Sequence, residues 1–246
     1  EYWYEGSTHA PIEPHCCVAH FNAAGRHLPV GRQGRILVRL MHLGGRRVER
    51  GPSVDDALDE AIALAPNGRL CRYHTETRTT RLIAEGFHFI NGVLCDLHPG
   101  QPYEESVPVT QTSLFRLTRF YLRGPKAGKD EVVLDGITGL DDGMDRDASG
   151  RIWLALFSNR TGLLTWVHEH AWIKPLLMRV PAQLLMALPQ KTGVLVLSPD
   201  GRTPLYSALY DGDALASIAS AVPSAAGVYL ANEALGPERQ AEPRVV

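Results

Sequence analysis

The sequence predicts an all-β fold, and three observations support that prediction. Short runs of alternating or β-branched residues recur along the chain, and between 87 and 156 none has a sustained helical period. Gly, Asp, Asn or Pro bounds each run. A similar turn recurs at 22–25, 65–68, 147–150 and 198–201, each time followed by an arginine. A repeated strand–turn–strand unit in an all-β chain is typical of the blades of a β-propeller.

The composition is ordinary for a globular protein and argues against two classes of function. Hydrophobic residues make up 44% of the chain, charged residues 21%, and the formal net charge is -2. No block of Lys and Arg stands out, and the small basic cluster around Arg46 and Arg47 is interpreted as a solvated face, so a nucleic-acid-binding surface is not expected. No apolar run reaches the roughly 18 to 20 residues of a membrane-spanning helix. Because the chain starts at Glu1 without Met, we expect the native N-terminus to be absent; the compartment stays open, with the cytoplasm slightly favoured.

The first third of the chain is predicted to hold one blade and a short helix. Residues 16–50 contain a strand, a tight turn and a second β-rich run, which is the pattern of one blade. Residues 52–65 differ, because Ser53 can cap a helix and acidic residues fill the first turn that follows. We therefore expect a helix in this segment.

The pattern then returns to strands. Residues 68–86 are predicted to form a hairpin, and residues 87–134 form the best-defined blade. Residues 101–113 are polar and contain Pro, so we interpret them as a loop inserted at the mouth of the channel. Residues 135–200 predict another blade. Within it, apolar residues recur at helical spacing over 161–188, which predicts a helical cap interrupted by two prolines.

Three motifs, in this order, carry a resemblance to a known family. An aromatic pair precedes Asn91-Gly92-Val93, and a strand pair over 116–128 contains Gly-Pro-Lys-Ala-Gly. Asp142-Gly143 then precedes an Asp-x-x-Gly-x-x-Trp turn that ends at Trp153. Together these motifs resemble the strictosidine-synthase-like family, which belongs with the gluconolactonase and regucalcin group of six-bladed propellers. Any one of the motifs alone would be weak.

The resemblance implies a shortened propeller. It is good from about 67 to 200, weaker from 16 to 51, and poor after 211. Roughly two blades of the family pattern have no counterpart before residue 68, which leaves four to five blade equivalents. Such a ring exposes a strand edge that could pair with a second copy in a homodimer; internal deletion and closure with fewer blades are the alternatives. We expect residues 1–235 to form one domain and 236–246 a disordered tail.

The resemblance also implies a divalent cation in the central channel, held by oxygen ligands at the inner ends of successive blades. Asn91 matches the Asn ligand of the family, and Asp142 matches the Asp that serves as ligand and catalytic base. Ca²⁺ is favoured, with Mg²⁺, Mn²⁺ and Zn²⁺ as alternatives. For both residues the alternative is a turn residue that bonds local backbone, as Asx before Gly commonly does.

The other candidate site residues are less well supported. Glu105 matches the position of a channel-facing Glu in relatives and is a candidate ligand or general base, against the alternative of a solvated carboxylate. Asn159 follows a strand and is a candidate substrate contact. The first-blade Glu of the family has no counterpart near Cys17, so the metal site is either weak or vestigial. His168-Glu169-His170 is interpreted as helix surface, because residues two apart do not share a helical face.

These observations predict a metal-dependent hydrolase of lactones or aryl esters that acts on a small molecule. A non-catalytic propeller-type binding protein is the alternative, because one ligand and two blades are missing. A condensing enzyme of the strictosidine type is a third option, but it needs a late Glu that faces the channel. Residues 217–224 contain no Glu, and Glu233 lies past the expected position.

Overall fold

The computed structural model describes the strand-forming part of the chain and leaves both ends aside. The described residues are 37–40, 60–74, 79–94, 96–97, 104–180, 184, 191–211, 215, 217–225 and 227–232. Most of the predicted first blade, the predicted tail at 236–246 and Glu233 lie outside them. Within the described part of the chain, no helix is long and apolar enough to cross a membrane.

Strands dominate the described residues, which confirms the all-β prediction. They are β1 (Leu37–Leu40), β2 (Gly68–His74), β3 (Thr79–Phe87), β4 (Ile90–Val93), β5 (Asp96–Leu97), β6 (Glu104–Gln111), β7 (Arg116–Tyr121), β8 (Asp130–Asp135), β9 (Gly139–Arg146), β10 (Ile152–Asn159), β11 (Thr192–Leu197), β12 (Pro204–Tyr210), β13 (Ile218–Ser224) and β14 (Gly227–Asn232). The helical elements are α1 (Gly162–Glu169), α2 (Lys174–Leu177) and 3-10 turns at Thr112–Leu114 and Ala171–Ile173.

The strands form four antiparallel sheets that follow one another along the chain. The first sheet has the order β1-β2-β3, and the second has β4-β6-β7-β8 with β5 also beside β6. The third is β9-β10-β11-β12, and the fourth is the pair β13-β14. The inner strands of neighbouring sheets meet, because β4 contacts β9 and β9 contacts β13. First strands that lie side by side around a common axis are the arrangement of propeller blades, so the predicted architecture is confirmed.

The core lies between successive sheets. One cluster joins the first and second sheets: Leu70, Phe87, Ile90, Val93, Val107, Val109 and Phe120. A second cluster joins the second and third sheets: Leu94, Phe115, Leu117, Val133, Ile137, Ile152, Leu154, Leu156, Leu195 and Leu197. Each sheet therefore buries apolar residues against the next, and this packing fixes where the inner strands meet.

The predicted turn at 147–150 is confirmed in atomic detail. Gly150 N donates to the Asp147 carbonyl at 2.9 Å, and Gly150 has a φ of 81°. The Asp147 carboxylate accepts from the backbone of Ser149 and Arg151, from the Arg151 side chain at 2.6 Å and from Trp153 Nε1 at 3.0 Å. The Asp-x-x-Gly-x-x-Trp motif is thus a hairpin whose Asp holds both backbone and side chains.

Of two further local predictions, one is confirmed and the other is wrong. The hairpin at 68–86 is confirmed as β2 paired with β3. The expected loop at 101–113 is wrong for most of its length, because Glu104–Gln111 form β6. Pro108 argues against a strand in the sequence, because proline has no backbone N–H to donate to a neighbouring strand. It is tolerated because it lies opposite the gap between β4 and β5, where the pairing is irregular.

The helical prediction at 161–188 is confirmed for its first part. The Thr161 side chain accepts from Leu164 N at 3.2 Å and so caps α1. Val167 is buried, whereas Trp166 and Trp172 are 40% and 69% exposed. His168 is half-buried, with its ring 5.6 Å from that of Phe115, so its interpretation as helix surface is wrong. The helix predicted at 52–65 is described only at its end, where residues 60–63 are helical.

Candidate functional site

The second and third sheets meet at a glycine. Gly92 follows Asn91 on β4, and a methyl group at Gly92 would overlap the backbone carbonyl of Asp142 on β9. Gly92 N also donates to Thr110 Oγ1 at 2.7 Å, which holds β4 in place. Only glycine allows so close an approach of two backbones. Asn91 and Asp142 therefore lie on adjacent inner strands.

The same contact repeats between the third and fourth sheets. A methyl group at Gly143 would lie 2.6 Å from the carbonyl oxygen of Ala219 and 2.5 Å from Ser220 Oγ. Asp142 and Ala219 thus take equivalent places, each with its carbonyl against the glycine of the preceding sheet. Asn91 precedes Gly92 on β4 just as Asp142 precedes Gly143 on β9, so Asn91 is the equivalent residue of the second sheet. Three successive inner strands therefore carry an amide, a carboxylate and a methyl group.

Asn91 and Asp142 are both half-buried, and both interact with the rest of the protein. The residues are brought together as neighbours by the backbone contact. Among the described residues, no three His, Cys, Asp or Glu side chains form a group that could hold a metal ion. A cation here would therefore depend on this amide–carboxylate pair together with ligands of other kinds.

Asp141 is a candidate that the sequence analysis did not select. Its side chain is fully buried, and neither carboxyl oxygen has a hydrogen-bond partner among the described residues. Burial raises the pKa of the Asp141 carboxyl well above its usual range, the Thr112 hydroxyl opposes this shift, and the negative charge of Asp142 adds to it. The Thr112 hydroxyl donates its one proton to the Asp141 backbone carbonyl at 2.6 Å, so it lowers the pKa of the Asp141 carboxyl only slightly. Asp141 is thus a buried acid whose neutral form is favoured, next to the half-buried Asp142.

The sequence did contain a signal for this buried acid. In a strand, adjacent side chains point to opposite faces. Of two consecutive Asp residues on an inner strand, one must therefore point into the packed interior.

Asn159 ends β10 opposite Gly139, at the start of β9. Its side-chain oxygen accepts from Lys191 N at 2.8 Å, just before β11 begins. The carboxamide oxygen is therefore engaged in joining two strands, and the amide nitrogen is the group that could meet a substrate.

Glu105 lies near the beginning of β6, six residues before Gln111. Gln111 pairs with Ile90, the neighbour of Asn91. At about 3.3 Å per residue, Glu105 is about 20 Å from that pairing along the strand. The backbone of β6 therefore does not bring Glu105 next to Asn91.

Curated proteins of one kind are similar to this chain. Protein strictosidine synthase-like 13 from Arabidopsis thaliana is 34% identical over 114 residues, which cover 46% of this chain and 27% of that protein. Adipocyte plasma membrane-associated protein from Danio rerio is 30% identical over 141 residues, covering 55% and 33%. This chain is a homologue of the strictosidine-synthase-like proteins. The matched part spans between 27% and 33% of the length of these relatives, and no protein-family model matches the chain.

Solved propellers are also similar. A gluconolactonase from Xanthomonas campestris is 19% identical, with a TM-score of 0.48 over 89% of this chain and 58% of that one. A calcium-binding regucalcin from Agrobacterium tumefaciens is 19% identical, with a TM-score of 0.42 over 72% and 48%. The propeller assignment for this homologue rests on the contacts of its own inner strands.

Proposed function

We propose that this strictosidine-synthase-like homologue is a metal-dependent hydrolase of lactones or aryl esters. The observation that carries the proposal is the glycine contact that makes Asn91 and Asp142 neighbours on adjacent inner strands. The family resemblance supports it, because it assigns ligand roles to these two positions. The substrate class is that of a small molecule able to enter the centre of the propeller.

The donor set suits a hard divalent cation. An amide oxygen and a carboxylate are typical ligands of Ca²⁺, which takes roughly six to eight oxygens, so water and substrate would complete the shell. Mg²⁺, Mn²⁺ and Zn²⁺ stay as alternatives. A bound cation would polarise the carbonyl of the ester or lactone.

Burial distinguishes the two acids of β9. Burial raises the pKa of Asp141, and the charge of Asp142 adds to this shift, so the neutral form of the Asp141 carboxyl is favoured. Asp142 is only half-buried, so it is the acid of the pair that can reach a cation or a water molecule. Asp142 is therefore proposed as cation ligand and as the base that takes a proton from attacking water. Asn159 is proposed as a substrate contact through its amide nitrogen.

The test is a panel of lactones and aryl esters assayed with each of the four cations. Asp142→Ala should lower the best activity at least about 100-fold, the range expected for loss of a general base, and should weaken Ca²⁺ binding in calorimetry. Asp145→Ala is the matched control, because Asp145 lies on the same strand and bonds the adjacent Arg146 N. An activity that is equal in both variants, or no activity with any cation, would reject the hydrolase.

A non-catalytic binding protein is the second candidate. It is favoured by the methyl group of Ala219 at the third equivalent position, where the neighbouring inner strands carry Asn91 and Asp142. Small-molecule binding without turnover by the wild-type chain would support this candidate over the hydrolase.

The predicted homodimer through an open sheet edge stays a proposal. The edge strand β12 of the third sheet is exposed along almost all of its length. Among the described strands it lies at the end of its sheet, where a partner strand could add, and Tyr206 on it is 65% exposed.

A further inference from the structure

Three arginines from separate segments line one groove. Arg72 lies on β2, Arg81 on β3, and Arg123 follows β7. With Leu82, Ile83 and Leu122 they enclose a groove of about 300 Å³. The groove shares no residue with the site on β4 and β9. Because the whole chain has a net charge of -2, this concentration of positive charge is a local feature.

The pairing within the first sheet makes two of these arginines direct neighbours. Arg72 and Arg81 are cross-strand partners, and partners in an antiparallel sheet share a face with their Cβ atoms about 5 Å apart. Like charges in this position destabilise a sheet. By contrast, the pair Arg69 and Glu85 in the same sheet is complementary, with Nε 3.7 Å from the carboxylate.

A β-bulge creates the like-charged pair. Leu70 pairs with Ala84, but Cys71 pairs with Leu82, so the register shifts by one residue between them. Without this shift Arg72 would lie opposite Leu82. Bulges commonly redirect a side chain at the edge of a sheet, and this one brings a second guanidinium to the groove.

The floor of the groove is apolar. Ile83 and Leu122 pack against the cluster between the first and second sheets. Leu82 is 48% exposed beside the arginines. The groove thus joins a cationic rim to an apolar floor that is continuous with the core.

We propose that this groove binds a phosphoryl group. Guanidinium groups bind phosphate oxygens through pairs of N–H donors, and their donors have fixed geometry. A dianionic phosphoryl group offers three acceptor oxygens, which matches three arginines better than a singly charged carboxylate. The apolar floor suits the body of a phosphate ester.

Thermal unfolding of the full chain with inorganic phosphate, at constant ionic strength against chloride, tests the site. Phosphate should raise the Tm of the wild type, and Arg81→Gln and Arg123→Gln should each weaken the apparent affinity about 10-fold. Arg179→Gln is the control, because Arg179 is exposed and lies far along the chain in the helical segment. An equal phosphate shift in all four proteins would indicate general salt stabilisation and overturn the proposal.

A second experiment distinguishes a lipid headgroup from a soluble phosphate as the source of the phosphoryl group. Co-sedimentation with phosphatidylcholine vesicles that contain phosphatidic acid, lost in Arg81→Gln, would support a lipid headgroup. A phosphate shift in Tm that needs Arg81, without vesicle binding, would support a soluble phosphate or phosphate ester. Absence of both effects would overturn the proposal.

Discussion

Besides their shared apolar core, the second and third sheets touch at their inner strands and at their outer side, and these two contacts differ in kind. At the inner strands the backbone of Gly92 lies against the carbonyl of Asp142. At the outer side the contact is ionic: Arg202, in the turn before β12, donates to the carboxylate of Glu131 on β8. Lys126 donates to the same carboxylate at 2.7 Å and Tyr121 at 2.8 Å.

The difference shows which contacts position the site. The inner contact leaves no room for a methyl group, so any change in side-chain volume must move a strand. The outer ion pairs join partly exposed side chains, and water and salt screen them. The strands that carry the candidate site residues Asn91 and Asp142 are therefore held by packing, whereas the outer charges contribute little to the stability of the same interface.

Gly92→Ala should have the largest effect. The added methyl would force β4 from β9 and reduce the free energy of unfolding by about 3 kcal/mol, the upper range for overpacking. Gly162→Ala is the control, because Gly162 has no neighbouring atom within 4 Å of an added Cβ and starts α1. It should change stability by less than about 1 kcal/mol. Urea unfolding that gives equal losses for both variants would contradict the packing argument.

Asp141→Asn should have an effect of intermediate size, because it should remove the part of the pH dependence of the free energy of unfolding that comes from this carboxyl. Since burial raises the pKa of Asp141 in the folded state, its favourable contribution is complete below the unfolded pKa of about 3.9 and is lost as pH rises through the folded pKa. The Asn variant cannot ionise, so its advantage over the wild type should grow with pH. Urea unfolding at a series of pH values measures this.

Asp145→Asn, on the same strand as Asp141, is the matched control for that series. If Asp141→Asn kept the wild-type pH profile, the buried carboxyl would not be the group that titrates.

Glu131→Gln should have the smallest effect. Hydrogen bonds from Lys126, Arg202 and Tyr121 lower the pKa of Glu131 to about 2. The stabilisation is therefore present above the unfolded pKa of about 4.3 and is lost as pH falls through about 2. The variant should melt slightly below the wild type at low salt and together with it in 1 M NaCl. A large, salt-independent loss would mean that the outer contact also depends on packing.

Local sequence patterns predicted much of the fold, but they failed where the structure of a segment depends on the strands next to it. The turn at 147–150 was predictable, because Asp147 and Gly150 satisfy a turn through groups within a few residues. β6 was not, because Pro108 is disfavoured in a strand and is accepted only opposite a gap in pairing. Asn91 and Asp142 were selected from a family resemblance, whereas the contact between their strands, through Gly92, depends on how the sheets pack.

The sequence by itself determined the turns, most of the strands and the order of the sheets, since these depend on backbone preference and period over short stretches. Tertiary structure decided that Asp141 is the buried acid of its pair and that Asn91 is a neighbour of Asp142. It also decided that Arg72 faces Arg81, through a one-residue shift in register. Burial and cross-strand partners are set by segments distant in the chain, so no local pattern encodes them.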